Sequence, residues 1–148
     1  SAGLASFAML TGGKGIHVVA PLERRRDWDD IKSAARGLAY RMAQANPERY
    51  VAEMSKAKRK GKIFIDWLRN ERGSTAICPY SLRARPEAPI ATPIRWDELS
   101  RLDAANTYTL YNVRQRLRQL KADPWDGYDS VRQSISNDVL EVLTVSPD

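Results

Sequence analysis

The sequence has very few of the side chains that build disulfides and zinc sites. Its 148 residues include one cysteine, Cys78, and one histidine, His17. A single cysteine cannot form an internal disulfide, and no zinc-type spacing of cysteine and histidine is present. Disulfide-stabilised and zinc-stabilised small domains are therefore excluded, and we expect a cytoplasmic, reducing environment.

Long apolar runs are also missing. No stretch approaches the roughly 20 apolar residues that cross a bilayer, and none has the residue order of a secretory signal peptide. Hydrophobic residues still make up 43% of the chain, which is ordinary for a globular protein. We therefore predict no membrane partner and a single domain over residues 1–148.

Acidic residues are in deficit. The chain has 18 Asp and Glu against 24 Lys and Arg, so its formal net charge is +6. An excess of this size favours a polyanionic partner such as nucleic acid or a nucleotide, although it says nothing about the fold.

Segments with strand-like and helix-like patterns alternate along the chain. The predicted strands cover residues 15–22, 63–69 and 74–85. The predicted helices cover residues 26–46, 96–103, 109–123 and 129–143. The pattern predicts an α/β or α+β fold with a mixed sheet and flanking helices.

Two local signals refine this prediction. Asp27 has the position of an N-cap for the first helix, with Asp30 three residues later. Residues 85–96 are rich in proline, which favours an extended connection on the surface.

Residues 11–15 read TGGKG and lead into the first predicted strand. The segment lacks the spacing of a Walker loop, and it precedes a strand instead of opening a helix, so it is not a Rossmann fingerprint. Gly12 and Gly13 could turn backbone N–H groups toward an anion, with Lys14 supplying positive charge. A phosphate-binding loop and a plain glycine-rich turn both fit.

His17 lies inside the predicted strand. Alternation places His17 and Val19 on one face and Ile16 and Val18 on the other. A strand histidine is commonly structural, but His17 follows Lys14 by three residues and could address the same ligand.

Asp66 interrupts the apolar segment IFIDWLR, where a strand would bury it. A buried carboxylate must be paired, protonated or bound to a metal. A salt bridge with Arg69 or Arg83 is one interpretation, and ligation of magnesium or manganese is the other. In the next predicted strand Ser81, Arg83 and Arg85 alternate onto one face, where the guanidinium groups could clamp phosphates.

A basic run precedes this segment. It places five cations within seven residues: Lys56, Lys58, Arg59, Lys60 and Lys62. The run is either a solvated loop or a contact for a nucleic-acid backbone. Four cations of the 109–123 helix are predicted to form a solvated face: Arg114, Arg116, Arg118 and Lys121.

Three ordered segments carry a resemblance to a known family. They read TGGKGIHVVAPL, MSKAKRKGKIFIDWLRNERGSTAICPYSLRARPEAPIATPIRWDEL and YTLYNVRQRL. Together they resemble the polymerase domain of the bacterial multifunctional DNA ligase D of non-homologous end joining, a relative of archaeo-eukaryotic primases. The resemblance covers roughly residues 3–126 and implies a primase-polymerase-like nucleotidyltransferase fold.

The resemblance assigns roles to individual residues. It implies that the triphosphate of the incoming nucleotide meets the glycine loop, at Thr11, Gly12, Gly13, Lys14 and His17. It makes Asp66 the third metal-binding carboxylate, and so a catalytic residue together with His17. Arg69 and Arg83 correspond to cations near the nucleotide and the primer end.

Cofactors and partners also follow from the resemblance. Such polymerases use two divalent ions, Mn²⁺ or Mg²⁺, with nucleoside triphosphates as substrates. The implied partners are DNA ends or gapped duplexes, the end-binding protein Ku and an attached ligase. The basic run from Lys56 to Lys60 would then contact DNA, and the expected location is the nucleoid in the cytoplasm.

One part of the family pattern has no counterpart. The family's first two metal carboxylates form an Asp-x-Asp pair on a strand before the glycine loop, but only about ten residues precede that loop here. Asp27 and Asp29 match the Asp-x-Asp pattern, but they lie after the glycine loop at the start of a helix, so we interpret them as capping residues. We expect the C-terminal half of a polymerase domain, inactive alone. The alternatives are a non-catalytic nucleotide- or DNA-binding module and an accessory half of a split polymerase.

Overall fold

The structure, a computed structural model, describes residues 3–144, and their contacts divide them into two compact units. The first unit contains residues 3–22 and 77–133. The second contains residues 23–76 and 134–144 of the described range. The single domain predicted for residues 1–148 stays a prediction.

The first unit is built on a three-stranded antiparallel sheet. Its strands are β1 (Phe7–Leu10), β2 (Ile16–Val19) and a later strand, β5 (Thr92–Ile94), in the order β2-β1-β5. Ala8, Leu10 and Ile94 form the buried core of this sheet. The prediction of β2 is confirmed, and so is its alternation, because Ile16 and Val18 are exposed while His17 and Val19 are half-buried.

The proline-rich segment 85–96 lies on the surface only at its ends, where residues 85–87 and 95–96 are exposed, so the prediction was wrong for its middle. Residues 89–94 are buried, and Thr92–Ile94 pairs with β1. Proline is tolerated because β5 lies at the edge of the sheet. The Pro93 carbonyl accepts a hydrogen bond from Arg116 Nη2 at 3.1 Å. This carbonyl therefore faces Arg116, on the side of β5 away from β1.

The strand predicted over residues 74–85 is also absent. The backbone turns at Tyr80, whose φ is +62°, and then runs irregularly against residues 89–91. Tyr80 N donates to Ala91 O at 2.7 Å, and Arg83 N donates to Pro89 O at 2.8 Å. On the other side of this ladder, Ile90 N donates to Tyr108 O at 2.8 Å. We call residues 80–91 the irregular hairpin.

Three short helical segments complete this unit. The helix predicted over 96–103 is a 3₁₀ helix, Trp96–Arg101, and the one predicted over 109–123 is shorter, at Val113–Gln119 (α2). A separate 3₁₀ turn, Tyr128–Ser130, lies where a continuous C-terminal helix was predicted.

Arg116 is buried, which corrects the prediction that it belongs to a solvated face. Its guanidinium forms a bidentate ion pair with Glu98, in which Nη1 donates to Oε2 at 2.6 Å and Nη2 donates to Oε1 at 3.2 Å. It also donates to Tyr108 Oη at 2.9 Å and lies over the Tyr108 ring. Burial is the largest single influence on the pKa of Glu98 and would raise it, but the hydrogen bonds and charges of Arg116 and Arg95 together outweigh burial, and the pKa lies below its usual value.

In the second unit, the long helix α1 (Trp28–Ala45) confirms the sequence prediction. Asp27 Oδ1 accepts from Asp30 N at 2.8 Å and caps the helix. α1 packs on the C-terminal helix α3 (Asn137–Thr144), and Gly37 leaves no space for a side chain beside the Leu143 backbone.

The second unit also contains two very short strands. β3 (Tyr50–Val51) and β4 (Ile63–Phe64) pair in parallel, so β4 covers only the start of the strand predicted over 63–69. The α/β class is confirmed, with the antiparallel and parallel pairs in separate small sheets. Within residues 3–144 there is no helix long and apolar enough to span a membrane.

The ion pair between Glu98 and Arg116 predicts a specific pH dependence. Since the Glu98 pKa is lowered by folding, its contribution is present above the unfolded carboxyl pKa of about 4.3 and is lost as pH falls through the folded pKa. Glu98→Gln should therefore cost about 3 kcal/mol of unfolding free energy at pH 7, with a smaller difference in acid.

Urea unfolding of the unaltered chain and of Glu98→Gln, at neutral and at acidic pH, measures this difference in unfolding free energy. Asp103→Asn is the matched control, because Asp103 is exposed in the same unit and forms no ion pair among the described residues. Equal losses in the two variants at neutral pH would contradict a stabilising buried pair.

Candidate phosphate-binding site

The predicted glycine loop is the connection between β1 and β2. Thr11 Oγ1 donates to Gly15 O at 2.7 Å, and Thr11 N donates to the same carbonyl at 3.1 Å. Gly13 N donates to Thr11 Oγ1 at 3.2 Å. The loop thus closes on itself and leaves Lys14 exposed at its tip.

The two glycines have a different role from the one predicted. Gly12 N donates to Ala105 O at 3.0 Å, and Gly13 N is taken by Thr11. Both N–H groups already donate hydrogen bonds within the protein, so in this conformation they are not available to bind an anion. Any anion at this loop is bound by side chains.

Gly12 allows an arginine to lie directly on the loop. Its φ is +65°, and a Cβ atom there would be 2.9 Å from Arg83 Cγ and 3.2 Å from the Ile90 carbonyl carbon. At Gly13 a Cβ atom would be 3.8 Å from Arg85 Cζ. The structure therefore brings Arg83 and Arg85 onto the glycine loop from the irregular hairpin. The predicted strand face that they were to share with Ser81 is absent.

Three cations, Lys14, Arg83 and Arg85, form what we call the phosphate cluster. None of the three is in an ion pair within residues 3–144. Guanidinium groups bind phosphate oxygens in pairs, and a lysine adds a mobile point charge. His17 lies on β2 opposite Met9, half-buried, six residues after Thr11 begins the loop.

Asp66 differs from the sequence interpretation. It follows β4 without belonging to it, and it is exposed. Its Oδ1 accepts from Leu68 N at 3.2 Å, a local turn contact. The argument from a buried carboxylate was therefore wrong, and no ion pair of the described residues includes Asp66; Arg69 donates to Thr75 O at 3.2 Å instead.

The basic run is only partly a free loop. Its 3₁₀ turn, Ala57–Arg59, holds Lys58 in an ion pair with Glu53 at 2.5 Å. The Arg59 guanidinium lies 3.6 Å from the centre of the Phe64 ring. Lys56, Lys60 and Lys62 are exposed and have no ion pair within the described part of the chain. These three lysines are the ones available to a polyanion.

Comparison with known families supplies the deciding observation. The profile of the family described as "LigD, primase-polymerase domain" matches residues 1–125. The chain belongs to this family.

Two curated relatives illustrate the similarity. The multifunctional non-homologous end joining protein LigD of Pseudomonas aeruginosa is 43% identical over 135 residues, which is 90% of this chain and 16% of that protein. The LigD of Mycolicibacterium smegmatis is 37% identical over 97 residues, 66% of this chain and 13% of that protein. The chain thus spans less than a fifth of the length of these two relatives.

A solved structure shows the same fold. The polymerase domain of Mycobacterium tuberculosis ligase D, in complex with DNA, matches with a TM-score of 0.77 and 32% identity. The match covers 86% of this chain and 44% of that one. The resemblance of the sequence to the DNA ligase D polymerase domain is therefore confirmed.

Sequence reasoning missed the residues that support the phosphate cluster in this member of the LigD family. Ala105, which accepts the Gly12 N–H, and Arg116, which lies beneath the ladder that carries Arg83, have no local signature. The one available signal was the position of Arg116 three residues after buried Val113 on α2, which places both on one helix face.

The close approach at Gly12 gives a testable prediction. Gly12→Ala should destabilise the chain by about 1–3 kcal/mol, because alanine at positive φ is strained and its Cβ would displace Arg83. Gly15→Ala is the control, since a Cβ there would meet nothing within 4 Å. Thermal unfolding measures both, and equal stability of the two variants would contradict this packing.

The exposure of Asp66 gives a second prediction. Asp66→Asn should change the free energy of unfolding by less than about 0.5 kcal/mol, because an exposed side chain with one local hydrogen bond contributes little. Chemical denaturation measures it. A loss of 3 kcal/mol or more, on the order expected for a broken buried ion pair, would contradict the exposed position.

Proposed function

We propose that this chain binds the incoming nucleotide during template-dependent nucleotidyl transfer, as part of a DNA ligase D-like protein in non-homologous end joining. The observation that carries the proposal is the phosphate cluster, three cations without ion pairs at one glycine loop. Membership of the LigD primase-polymerase family and the similarity to a polymerase domain in complex with DNA support it.

The chemistry of the cluster suits a triphosphate. A nucleoside triphosphate carries several negative charges on adjacent phosphates, and side chains that have no partner of their own can neutralise them without breaking an ion pair. Thr11 holds the loop closed through Gly15 O and so positions Lys14. His17, on the strand that leaves the loop, is proposed to hydrogen-bond a phosphate oxygen.

The family implies metal-dependent nucleotidyl transfer, with two divalent ions such as Mn²⁺ or Mg²⁺ supplying Lewis-acid chemistry when bound. The described residues do not fit such a centre, because no group of three metal-ligating side chains occurs among them. Asp66 offers one carboxylate and remains the proposed metal ligand. We therefore assign this chain nucleotide and DNA binding, and no metal-dependent step.

DNA is the proposed second substrate. Lys56 and Lys60, with Lys58 and Arg59 beside them, would hold the backbone of a DNA end or gapped duplex, and Arg69 is proposed to lie near the nucleotide. Ku and a ligase domain are proposed partners on the strength of family membership, with an N-terminal half in cis or in trans completing the domain. The cytoplasmic nucleoid is the proposed location.

A specific observation favours a second candidate, a nucleotide- and DNA-binding module without chemistry. Asp66 is exposed, forms only a local hydrogen bond, and has no second carboxylate in a metal-binding group of the described residues. In that case the same cations bind polyanions, and Asp66 has no part in a reaction.

Triphosphate binding tests the phosphate cluster. Lys14→Ala and Arg83→Ala should each weaken the binding of a fluorescent ribonucleoside triphosphate by roughly tenfold or more, because each removes a charge-assisted contact. Arg114→Ala is the matched control, since Arg114 is an exposed cation on α2 of the same unit. An equal loss in the control would show a general charge effect and would overturn the assignment.

Mn²⁺-stimulated triphosphate binding separates the two candidate functions. The chain is titrated with a fluorescent ribonucleoside triphosphate with and without Mn²⁺, and Asp66→Asn is measured in parallel. Stimulation by Mn²⁺ that disappears in the variant would support Asp66 as a metal ligand for nucleotidyl transfer. Triphosphate and DNA binding that Mn²⁺ does not stimulate, and that the variant leaves unchanged, would favour the binding module.

A further inference from the structure

The first unit has a second polar concavity, separate from the phosphate cluster. It lies between the 3₁₀ helix Trp96–Arg101 and α2, and its volume is about 600 Å³. That volume is within the roughly 300–1,000 Å³ of ligand-binding clefts, but those are mostly apolar. Here eight of the eleven lining residues are charged or carry amides, and the other three are Tyr108, Leu120 and Ala122. We call this concavity the α2 groove.

The walls of the α2 groove carry polar groups without internal partners. Arg101 lies on one wall and Lys121 on the other, and both are exposed. Gln115 and Gln119, one helical turn apart, line the α2 side. None of these four side chains has a hydrogen bond or ion pair within residues 3–144. They are therefore available to an outside ligand.

The lining of the groove carries more positive than negative charge. Its one carboxylate, Glu98, is paired with the buried Arg116 guanidinium at 2.6 Å. Arg95 is paired with Asp97, whose charge also interacts with that of Arg101. Arg101 and Lys121 are the lining cations without an ion pair among the described residues, and the excess of cations gives the groove a positive potential.

We propose that the α2 groove binds the phosphodiester backbone of a nucleic-acid strand, at a position distinct from the phosphate cluster. Cations on two facing walls match consecutive phosphates, and the two glutamine amides can donate to phosphate or sugar oxygens. A chain of anions suits a groove of about 600 Å³ whose donors are spread over the 3₁₀ helix and the α2 side. The proposal rests on the proposed function only in taking DNA as that polyanion.

Fluorescence anisotropy of labelled single-stranded and duplex DNA, over a range of salt concentrations, tests the proposal on the full chain. Arg101→Ala combined with Lys121→Ala should weaken binding by about tenfold or more and flatten the log–log salt dependence by about 1.4–1.8, as expected for two lost phosphate contacts. The two forms of DNA distinguish which backbone geometry the groove accepts.

The matched control is Arg114→Ala combined with Arg118→Ala. Both residues are exposed cations of the same helix, neither lines the groove, and the change in net charge is the same. This control should lose clearly less affinity for DNA. Equal losses in the two double variants would show non-specific attraction and overturn the proposal.

A neutral variant removes the charge effect altogether. Gln115→Ala combined with Gln119→Ala should weaken DNA binding several-fold with no change in the salt dependence. Unchanged affinity would contradict the groove, as would tighter binding of an acidic peptide than of DNA. Thermal unfolding confirms that each variant is folded.

Triphosphate binding keeps this proposal separate from the proposed function. The variants at Arg101 and Lys121, or at Gln115 and Gln119, should bind the triphosphate as tightly as the unaltered chain does. Lys14→Ala should lose triphosphate affinity, and its DNA affinity should still fall when the groove residues are replaced. If the unaltered chain binds triphosphate but not DNA, the proposal for the α2 groove is overturned and the proposed nucleotide binding is not.

Discussion

The buried ion pair between Arg116 and Glu98 is the interaction on which the first unit depends. One guanidinium reaches the 3₁₀ helix through Glu98, the sheet edge through the Pro93 carbonyl, and the neighbouring segment through Tyr108 Oη. A buried arginine without these partners would be costly, and each contact satisfies one of its donors. Three segments, 8 to 23 residues before Arg116 in the sequence, are thereby fixed to one side chain.

A short series of hydrogen bonds connects this ion pair to the phosphate cluster. Arg116 holds Tyr108, the Tyr108 carbonyl accepts from Ile90 N, and Arg83 N donates to Pro89 O. Arg83 then lies on Gly12, where only glycine leaves room for it. The loop's amides are already satisfied internally, so the site works through side-chain cations that the ladder presents. The same ion pair neutralises Glu98, the one carboxylate that lines the α2 groove, so the lining keeps an excess of positive charge.

The sequence predicted the elements whose causes are local and missed those whose causes are not. α1 follows from an N-cap, a helical apolar period and a proline stop, and β2 from alternation between a glycine and a proline. β5 was hidden because Pro93 is acceptable only at an edge whose outer side is covered by Arg116, a contact 23 residues away. Asp66 looked buried because apolar neighbours suggested a strand, but its own carboxylate forms the turn that ends the pairing. Arg83 and Arg85 were predicted to share one face of a strand, but they lie in the irregular hairpin, and their position against the glycine loop had no sequence signal. The LigD family was recognised from ordered motifs and not from any one of them.

The most direct test of this account is a double-mutant cycle between Arg116 and Arg83, with ribonucleoside triphosphate affinity as the measurement. Arg116→Lys keeps the charge but removes the fork that holds Glu98, Tyr108 and Pro93. If Arg116 positions Arg83, the lysine variant weakens triphosphate binding in the normal chain and causes little further loss once Arg83 is alanine. Strictly additive losses would contradict the account, because the two residues would then act on the nucleotide independently.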